Sequence, residues 1–217
     1  MTINICFHGV GRCSVEREPG EAQYWVATDE FLRMLDVIAG RPDVRLSFDD
    51  GNRSDADTAL PALVERGLHA DVFVLAGRLD DPASLGAADL RDLREAGMRI
   101  GSHGWAHVPW RQMDEAAIRR EFHQARARLE EAVGTRVDTA AMPLGRYDRH
   151  SLAALRSAGY RTVFSSDRFP ARPTAWLQAR YSVTAGDTAE SVSGLLARRP
   201  GLGEARHAVA SVVKRMR

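Results

Sequence analysis

Two short clusters of acidic and imidazole side chains are the residues of this sequence with the clearest capacity for chemistry. One apolar run ends at the adjacent carboxylates of Asp49 and Asp50, and a later run ends at two histidines, His103 and His107. Adjacent carboxylates repel each other, and a nearby cation relieves that repulsion. One carboxylate oxygen and two imidazole nitrogens form a common zinc ligand set that leaves a coordination position for water.

Each cluster also has a simpler interpretation. An Asp-Asp-Gly sequence is frequent in turns, and a histidine after a strand is commonly a hydrogen-bonded loop residue. The occurrence of both clusters after strands favours a metal site with Asp50, His103 and His107 as ligands. Zinc suits this set best, and cobalt, nickel or iron could also occupy it. Asp49 would then be the general base that acts on a metal-bound water.

The elements predicted around these clusters alternate between strand and helix. We count about seven strands, including an almost uninterrupted apolar run at 70–75, and a long amphipathic helix at 114–133. A continuous apolar run is expected of a strand that is buried on both faces of a parallel sheet. Repeated strand–helix units imply right-handed crossovers and parallel strands, whose carboxyl ends meet on one face. The sequence therefore predicts an α/β domain with both clusters at the same end of the sheet.

At these residues the sequence resembles the polysaccharide deacetylase family, the NodB-homology carbohydrate esterases of family 4. The resemblance extends from about His8 to about Thr184. Three motifs carry it: Ser47-Phe48-Asp49-Asp50-Gly51, His103-Gly104-Trp105-Ala106-His107 and Ala141-Met142-Pro143-Leu144-Gly145-Arg146-Tyr147. The resemblance implies a single domain folded as a distorted (β/α)7 barrel, which agrees with the strand count. It also implies that Asp49 is the catalytic base and Asp50 a metal ligand.

The resemblance extends to the substrate side of the site. It implies that the backbone N–H of Leu144 stabilises an oxyanion, and Gly145 lets the chain turn closely beneath the substrate. Trp105 and Trp110 could form apolar walls for an acetyl group or stack on a sugar ring, although packing is the simpler role for a tryptophan near a loop.

The sequence departs from the family pattern at two places. Family members with the arginine form of the third motif use that arginine to orient the base, whereas this chain has Ala141 there, with the non-equivalent Arg146 nearby. The family's C-terminal Leu-x-His motif, whose histidine protonates the leaving amine, has no histidine in the corresponding region 176–183. His8 is the alternative acid, and a protonated Asp49 or water could also serve. A local hydrogen bond in a loop is the simpler role for His8.

Length and composition restrict the class of protein. A chain of 217 residues suits one domain that buries roughly 70% of its unfolded surface. Its 30 Lys and Arg residues balance 29 Asp and Glu residues, so no nucleic acid partner is expected. Cys6 and Cys13 predict two free thiols. The sequence shows no secretory leader and no apolar run approaching ~18 residues, which predicts a cytoplasmic protein without a membrane partner.

We divide the chain into a deacetylase-like barrel at 1–198 and a basic helical tail at 199–217, which could dock on the barrel, mediate a homodimer or lie in solvent.

The motifs favour a metal-dependent N-deacetylase whose substrate is an acetylated amino sugar, a natural-product intermediate or a similar small acetamide. The alternatives are an O-deacetylase, a cyclic-amide amidohydrolase of the same superfamily, and a barrel that binds metal or sugar without turnover.

Overall fold

Strands and helices alternate through the chain in the computed structural model, which describes residues 1–79, 81–198 and 201–216. The strands are β1 (Ile3–Phe7), β2 (Gly9–Val10), β3 (Trp25–Val26), β4 (Val44–Phe48), β5 (Ala70–Val74), β6 (Arg99–Ser102), β7 (Thr139–Ala141), β8 (Thr162–Ser165), β9 (Leu177–Ala179) and β10 (Tyr181–Ser182). The helices are α1 (Thr28–Ile38), α2 (Leu60–Glu65), α3 (Ala87–Glu95), α4 (Glu115–Ile118), α5 (Ala125–Val133), α6 (Arg149–Ser157), α7 (Ala189–Ala197) and α8 (Leu202–Met216).

The main sheet of the described chain is parallel and has the strand order β10-β1-β4-β5-β6-β7-β8-β9. Its two ends belong to one chain segment, because a single residue, Arg180, separates β9 from β10. On one side of Arg180, β9 pairs with β8, and on the other side β10 pairs with β1. When β9 and β10 are counted as one interrupted strand, the eight strands make a nearly closed barrel of seven strand positions. This confirms the predicted distorted (β/α)7 fold. Strands β2 and β3 form a separate parallel pair.

The core lies between the barrel strands and the surrounding helices. All five residues of β5 are buried, as expected for a strand that is covered on both faces. Helix α1 buries one apolar stripe, made of Phe31, Met34, Leu35 and Ile38, against the barrel. The ring of Phe31 contacts that of Phe7 edge to face, with 5.1 Å between centroids. Nowhere in the described chain is there a helix with the length and apolar character needed to cross a bilayer.

The long helix predicted at 114–133 is present, with one local change in its hydrogen bonding. Asp114 caps its N-terminus by accepting a hydrogen bond from the Ala117 N–H at 2.7 Å. Between α4 and α5 the segment Arg119–Gln124 forms a π-helical turn, which the sequence pattern did not indicate. Gly134 ends the helix with φ of 69°, a conformation that glycine adopts without steric cost.

Helix α8 packs against the loops at the carboxyl ends of β7 and β8. Ser211 is fully buried and its hydroxyl lies 2.8 Å from the Tyr147 hydroxyl. The Lys214 ammonium donates hydrogen bonds to Asp167 at 2.6 Å and to the Gly145 carbonyl at 3.0 Å. Of the three arrangements considered for the tail, this structure has the docked one. The predicted boundary falls on residues 199–200, which with residue 217 lie outside the described residues, so the division at 198 stays a prediction.

We predict that Lys214→Ala lowers the free energy of unfolding by about 1–2 kcal/mol, because the buried Asp167 loses a charge-assisted hydrogen bond. Asp167 keeps hydrogen bonds from the hydroxyls of Tyr147 and Ser165, which limits the loss. The matched control is Arg206→Ala at an exposed position of the same helix, with an expected change below about 0.5 kcal/mol. Urea unfolding measures both variants, and equal effects would contradict the docking role of Lys214.

Candidate metal and catalytic site

The predicted site residues lie at the carboxyl ends of neighbouring barrel strands. Asp49 and Asp50 follow β4 directly, and His103 follows β6. The backbone ladder continues into both clusters, since the Asp49 N–H donates to the carbonyl of β1 residue Phe7 and the His103 N–H donates to the carbonyl of Val74 in β5. Parallel pairing therefore brings two clusters that are distant in sequence to one face of the barrel.

Asp50, His103 and His107 converge on a common point. Asp50 Oδ1 lies 3.5 Å from His103 Nε2 and 3.4 Å from His107 Nε2. Ligands bound tetrahedrally to zinc at about 2.1 Å are about 3.4 Å from one another, so the spacing fits. Asp50 Oδ1 is also buried and has no hydrogen-bond partner in the described chain, which leaves it available to an ion.

Hydrogen bonds set the orientation of both imidazoles. His103 Nδ1 lies 2.9 Å from the Ala141 carbonyl, and His107 Nδ1 lies 2.6 Å from Glu18 Oε2. Because these oxygens only accept, each Nδ1 carries a hydrogen, which leaves Nε2, the nitrogen that faces Asp50, as the atom able to bind a metal in each ring. Burial lowers the pKa of His103 to about 4, so its ring is neutral near pH 7. His103 thus has the neutral form that a metal ligand requires.

Unusual backbone conformations aim these side chains. Asp50 and His107 adopt left-handed conformations, with φ of 75° and 55°, which are uncommon for residues other than glycine. In the histidine loop, Gly104 has φ of 84° and lies so close to Glu121 that a Cβ atom would collide with its carboxylate. That carboxylate accepts a hydrogen bond from the Trp105 N–H at 2.7 Å. The π-helical turn therefore places Glu121 where it fixes the loop between the two histidines.

A buried ion pair holds the predicted base. The two terminal nitrogens of Arg180 each donate to one oxygen of Asp49, both at 2.6 Å, and Nη1 also donates to the Ser47 hydroxyl. The guanidinium is fully buried, with its central carbon 5.2 Å and 5.8 Å from the ring centroids of Phe73 and Phe164. Burial acts most strongly and would raise the pKa of Asp49, but the charge of Arg180, the nearby His103 and the hydrogen bonds from Arg180 together outweigh it and hold the pKa well below its usual range.

Arg180 was not among the residues that the sequence predicted for the site. Of the two positions considered there, Ala141 cannot pair with a carboxylate and Arg146 is exposed, so the contact to Asp49 comes from a third. One signal for Arg180 was present in the sequence. An arginine inside the last strand of a barrel that is covered on both faces requires a buried acidic partner.

A second group of potential ligands, Cys6, His8 and Asp49, lies beside the first, with their ligand atoms within 4.8 Å of one another. Two features disfavour a cation there. Burial raises the pKa of the Cys6 thiol well above its usual value, whereas a metal binds the thiolate. The guanidinium of Arg180 would also repel a cation bound to Asp49. His8 nevertheless lies next to the predicted base, with its ring 4.7 Å from that of Tyr24 and a buried, unpartnered Nδ1.

The two tryptophans expected near the substrate lie in different environments. Trp110 has no exposed surface and contacts Phe122 edge to face, with 4.7 Å between ring centroids. It therefore packs beneath the site and has no free face for a sugar ring, in disagreement with the expected substrate contact. Trp105 is partly exposed in the histidine loop, and the Arg120 guanidinium lies 5.4 Å from its ring centroid. Of these two tryptophans, Trp105 is therefore the one available as an apolar wall.

The third motif forms a turn, Pro143–Gly145, directly after β7. Leu144 is half exposed and left-handed with φ of 57°, and Gly145 has φ of 60°. A cleft of about 550 Å³ lies between this turn and the loop after β6, and Arg111, Leu144 and Arg146 contribute to its walls. The turn and the cleft lie at the same end of the barrel as the two clusters, so the exposed Leu144 and Arg146 remain available to a substrate, and the buried Gly145 shapes the turn beneath them.

We predict that Arg180→Met lowers the free energy of unfolding by about 3–5 kcal/mol, because the Asp49 carboxylate stays buried without its partner. The matched control is Arg41→Met, which removes an ion pair to Asp43 whose two side chains are 38% and 41% exposed, and it should cost below about 1 kcal/mol. Urea unfolding of the metal-free protein measures both variants.

The double variant Arg180→Met with Asp49→Asn isolates the pair itself. Removing both charges should recover part of the loss seen with Arg180→Met, since no unpaired charge then remains buried. Simple additivity of the two single effects would mean that the pair is not coupled.

Comparison with known proteins agrees with this geometry. Residues 37–163 match the family model described as polysaccharide deacetylase. YxkH of Bacillus subtilis (strain 168), whose name assigns it provisionally to the polysaccharide deacetylases, is 22% identical over 118 residues, which are 54% of this chain and 42% of that protein. The chain thus matches less than half the length of this curated relative.

Two solved structures share the fold along almost their entire length. The Streptococcus pyogenes deacetylase PplD, in complex with acetate, has a TM-score of 0.79 at 18% identity and covers 92% of this chain and 98% of its own. IcaB from Ammonifex degensii has a TM-score of 0.74 at 22% identity and covers 89% and 96%. The family model spans more than half of the 217 residues and includes both clusters. The chain therefore belongs to the polysaccharide deacetylase family.

Proposed function

We propose that this protein is a metal-dependent N-deacetylase that hydrolyses the acetamide of an acetylated amino sugar or a similar small amide. The observation that carries the proposal is the convergence of Asp50, His103 and His107 at metal-ligand spacing beside a second carboxylate, Asp49, which a buried arginine holds. Family membership and the fold shared with the deacetylase PplD support the same chemistry.

Zinc or a similar divalent ion held by the three ligands would supply a Lewis acid and an acidified water. Asp49 would accept the proton of that water as general base. Each oxygen of Asp49 uses one lone pair for Arg180 and keeps another for a proton. Because Arg180 helps to lower the pKa of Asp49, the base is ionised near pH 7, where the neutral His103 is also ready to bind the ion.

The turn after β7 would bind the developing oxyanion. Leu144 lies on this turn, and its backbone N–H is the proposed donor. Lys214 donates a hydrogen bond to the carbonyl of Gly145 at 3.0 Å, so helix α8 helps to stabilise the turn. Trp105, partly exposed between the two histidines, would form an apolar wall for the acetyl methyl group.

His8 is the proposed proton donor to the leaving amine. An amine leaves readily only when it is protonated, and the last strand provides no histidine for this step. His8 has a ligand atom within 4.8 Å of an Asp49 oxygen and does not belong to the Asp50, His103 and His107 group. Its contact with the Tyr24 ring holds it at the edge of the site.

We expect Asp49→Asn to reduce kcat for release of acetate from N-acetylglucosamine oligomers by 10²-fold or more, because the base is lost. Zinc should remain bound at one equivalent, since Asp50, His103 and His107 are unchanged. Acetate assay and elemental analysis measure the two quantities. The matched control Asp57→Asn, at an exposed carboxylate of the following turn, should keep full activity. Loss of zinc from Asp49→Asn would contradict the assigned roles.

The same assay separates the related reactions. The zinc-loaded wild-type protein should release acetate from N-acetyl sugars faster than from O-acetyl sugars, and it should leave cyclic amides intact. A reversed preference would favour an O-deacetylase or a cyclic-amide amidohydrolase. Tight binding of an acetylated sugar without any turnover would identify a barrel that has kept the site and lost the reaction.

We expect His8→Asn to slow N-deacetylation about 10²-fold or more while hydrolysis of 4-nitrophenyl acetate changes less than about threefold. A nitrophenolate leaves without protonation, so only the amide substrate needs a general acid. Steady-state kcat values on the two substrates test this difference. Equal losses on both would mean that His8 supports the shape of the site rather than donating a proton.

A further inference from the structure

The segment between β2 and β3, residues 11–24, crosses the mouth of the barrel, and we call it the strap. Glu18, in the middle of the strap, places Oε2 2.6 Å from His107 Nδ1. Its other oxygen accepts a hydrogen bond from Arg78, which lies in the turn after β5. One side chain of the strap therefore contacts a proposed metal ligand on one side and a cation of the barrel on the other.

We propose that Glu18 is a positioning residue that fixes His107 as a ligand and raises the affinity of the site for zinc. The inference rests on the proposed metal-dependent function and extends it to a residue outside the three motifs. A carboxylate that accepts the Nδ1 hydrogen of a histidine holds the ring in one orientation and makes Nε2 a stronger donor to a metal.

The two histidines differ in what supports them. His103 donates its Nδ1 hydrogen to a neutral backbone carbonyl, that of Ala141, and is almost completely buried. His107 is less buried, has a left-handed backbone with φ of 55°, and donates to the charged Glu18. A backbone carbonyl of the barrel thus fixes His103, whereas the side chain of Glu18 in the strap fixes His107. The affinity of the site therefore depends on Glu18 through His107.

Ion pairs and hydrogen bonds hold the strap in the position that this contact needs. The Arg17 guanidinium pairs with Glu21 at 2.7 Å, and it donates to the Ser84 hydroxyl at 2.9 Å and to the side chain of Asn52. The Arg17 N–H also donates to Glu21 at 2.7 Å. Glu18 follows Arg17 directly, so the strap is anchored to the barrel at the residue beside the contact. Arg78 then fixes the second oxygen of Glu18.

The test is the zinc affinity of purified variants of the 217-residue chain, measured by competition with a chromogenic chelator. Glu18→Ala should bind zinc 10–100-fold more weakly than the wild-type protein, because His107 loses its acceptor. Glu18→Gln should lose less, since its amide oxygen can still accept the Nδ1 hydrogen without the negative charge. The matched control is Glu16→Ala in the same strap, whose carboxylate accepts a hydrogen bond from the Ala22 N–H and should leave the affinity within twofold.

Urea unfolding of the metal-free variants distinguishes a loss of zinc affinity caused by the missing Glu18–His107 contact from one caused by a destabilised fold. Metal-free Glu18→Ala should unfold cooperatively at a midpoint close to that of the wild-type protein, so a loss of affinity reports on the ligand and not on the fold. Zinc affinity of Glu18→Ala within twofold of wild type would overturn the inference and leave the deacetylase proposal standing. An equal loss in Glu16→Ala would also overturn it, by assigning the effect to the strap as a whole. Failure of the wild-type protein to bind zinc would refute the deacetylase proposal, and this inference with it.

Discussion

The ion pair between Arg180 and Asp49 is the constraint on which the rest of the site depends. Two adjacent carboxylates at a buried strand end cannot both remain ionised unless each has its own source of positive charge. Arg180 satisfies Asp49 with two hydrogen bonds, and the Asp50 oxygen that faces His103 and His107 has no partner in the described chain. The guanidinium therefore separates the two carboxylates by role. It pairs with Asp49, the proposed base, and leaves Asp50, the proposed metal ligand, free for a cation.

The position of Arg180 in the fold links the different environments of Asp49 and Asp50 to the closure of the barrel. Arg180 is the single residue between β9 and β10, and these two half-strands pair with β8 and β1 at the two ends of the sheet. Its side chain reaches Asp49 from a position 131 residues along the chain. The orientation of the base thus requires the last strand segment to pair on both sides. In this protein the geometry around Asp49 therefore depends on the closure of the sheet.

The sequence predicted what is local and missed what depends on closure. The alternation of parallel strands and helices was predictable from the apolar runs, and the proposed ligands Asp50, His103 and His107 were predictable from residue types that follow strand ends. Arg180 and Glu18 were missed because their partners are set by contacts between elements that no spacing in the sequence reports. Trp110 shows the opposite case. A tryptophan in a loop suggested a substrate contact, but packing against Phe122 and the apolar cluster around it buries the ring completely.

The small side chain of Ala141 leaves the space through which Arg180 of the last strand segment contacts Asp49. A long side chain at this position of β7 would enter the space where Phe73 and Phe164 contact each other and Ala141. Because position 141 is alanine, the rings of Phe73 and Phe164 fill that space. The Arg180 guanidinium lies over both rings and donates its hydrogen bonds to Asp49. Cation–π contacts of this kind offset part of the cost of burying the charge. The small residue in the third motif and the arginine in the last strand therefore form one arrangement, in which the last strand supplies the positive charge beside Asp49.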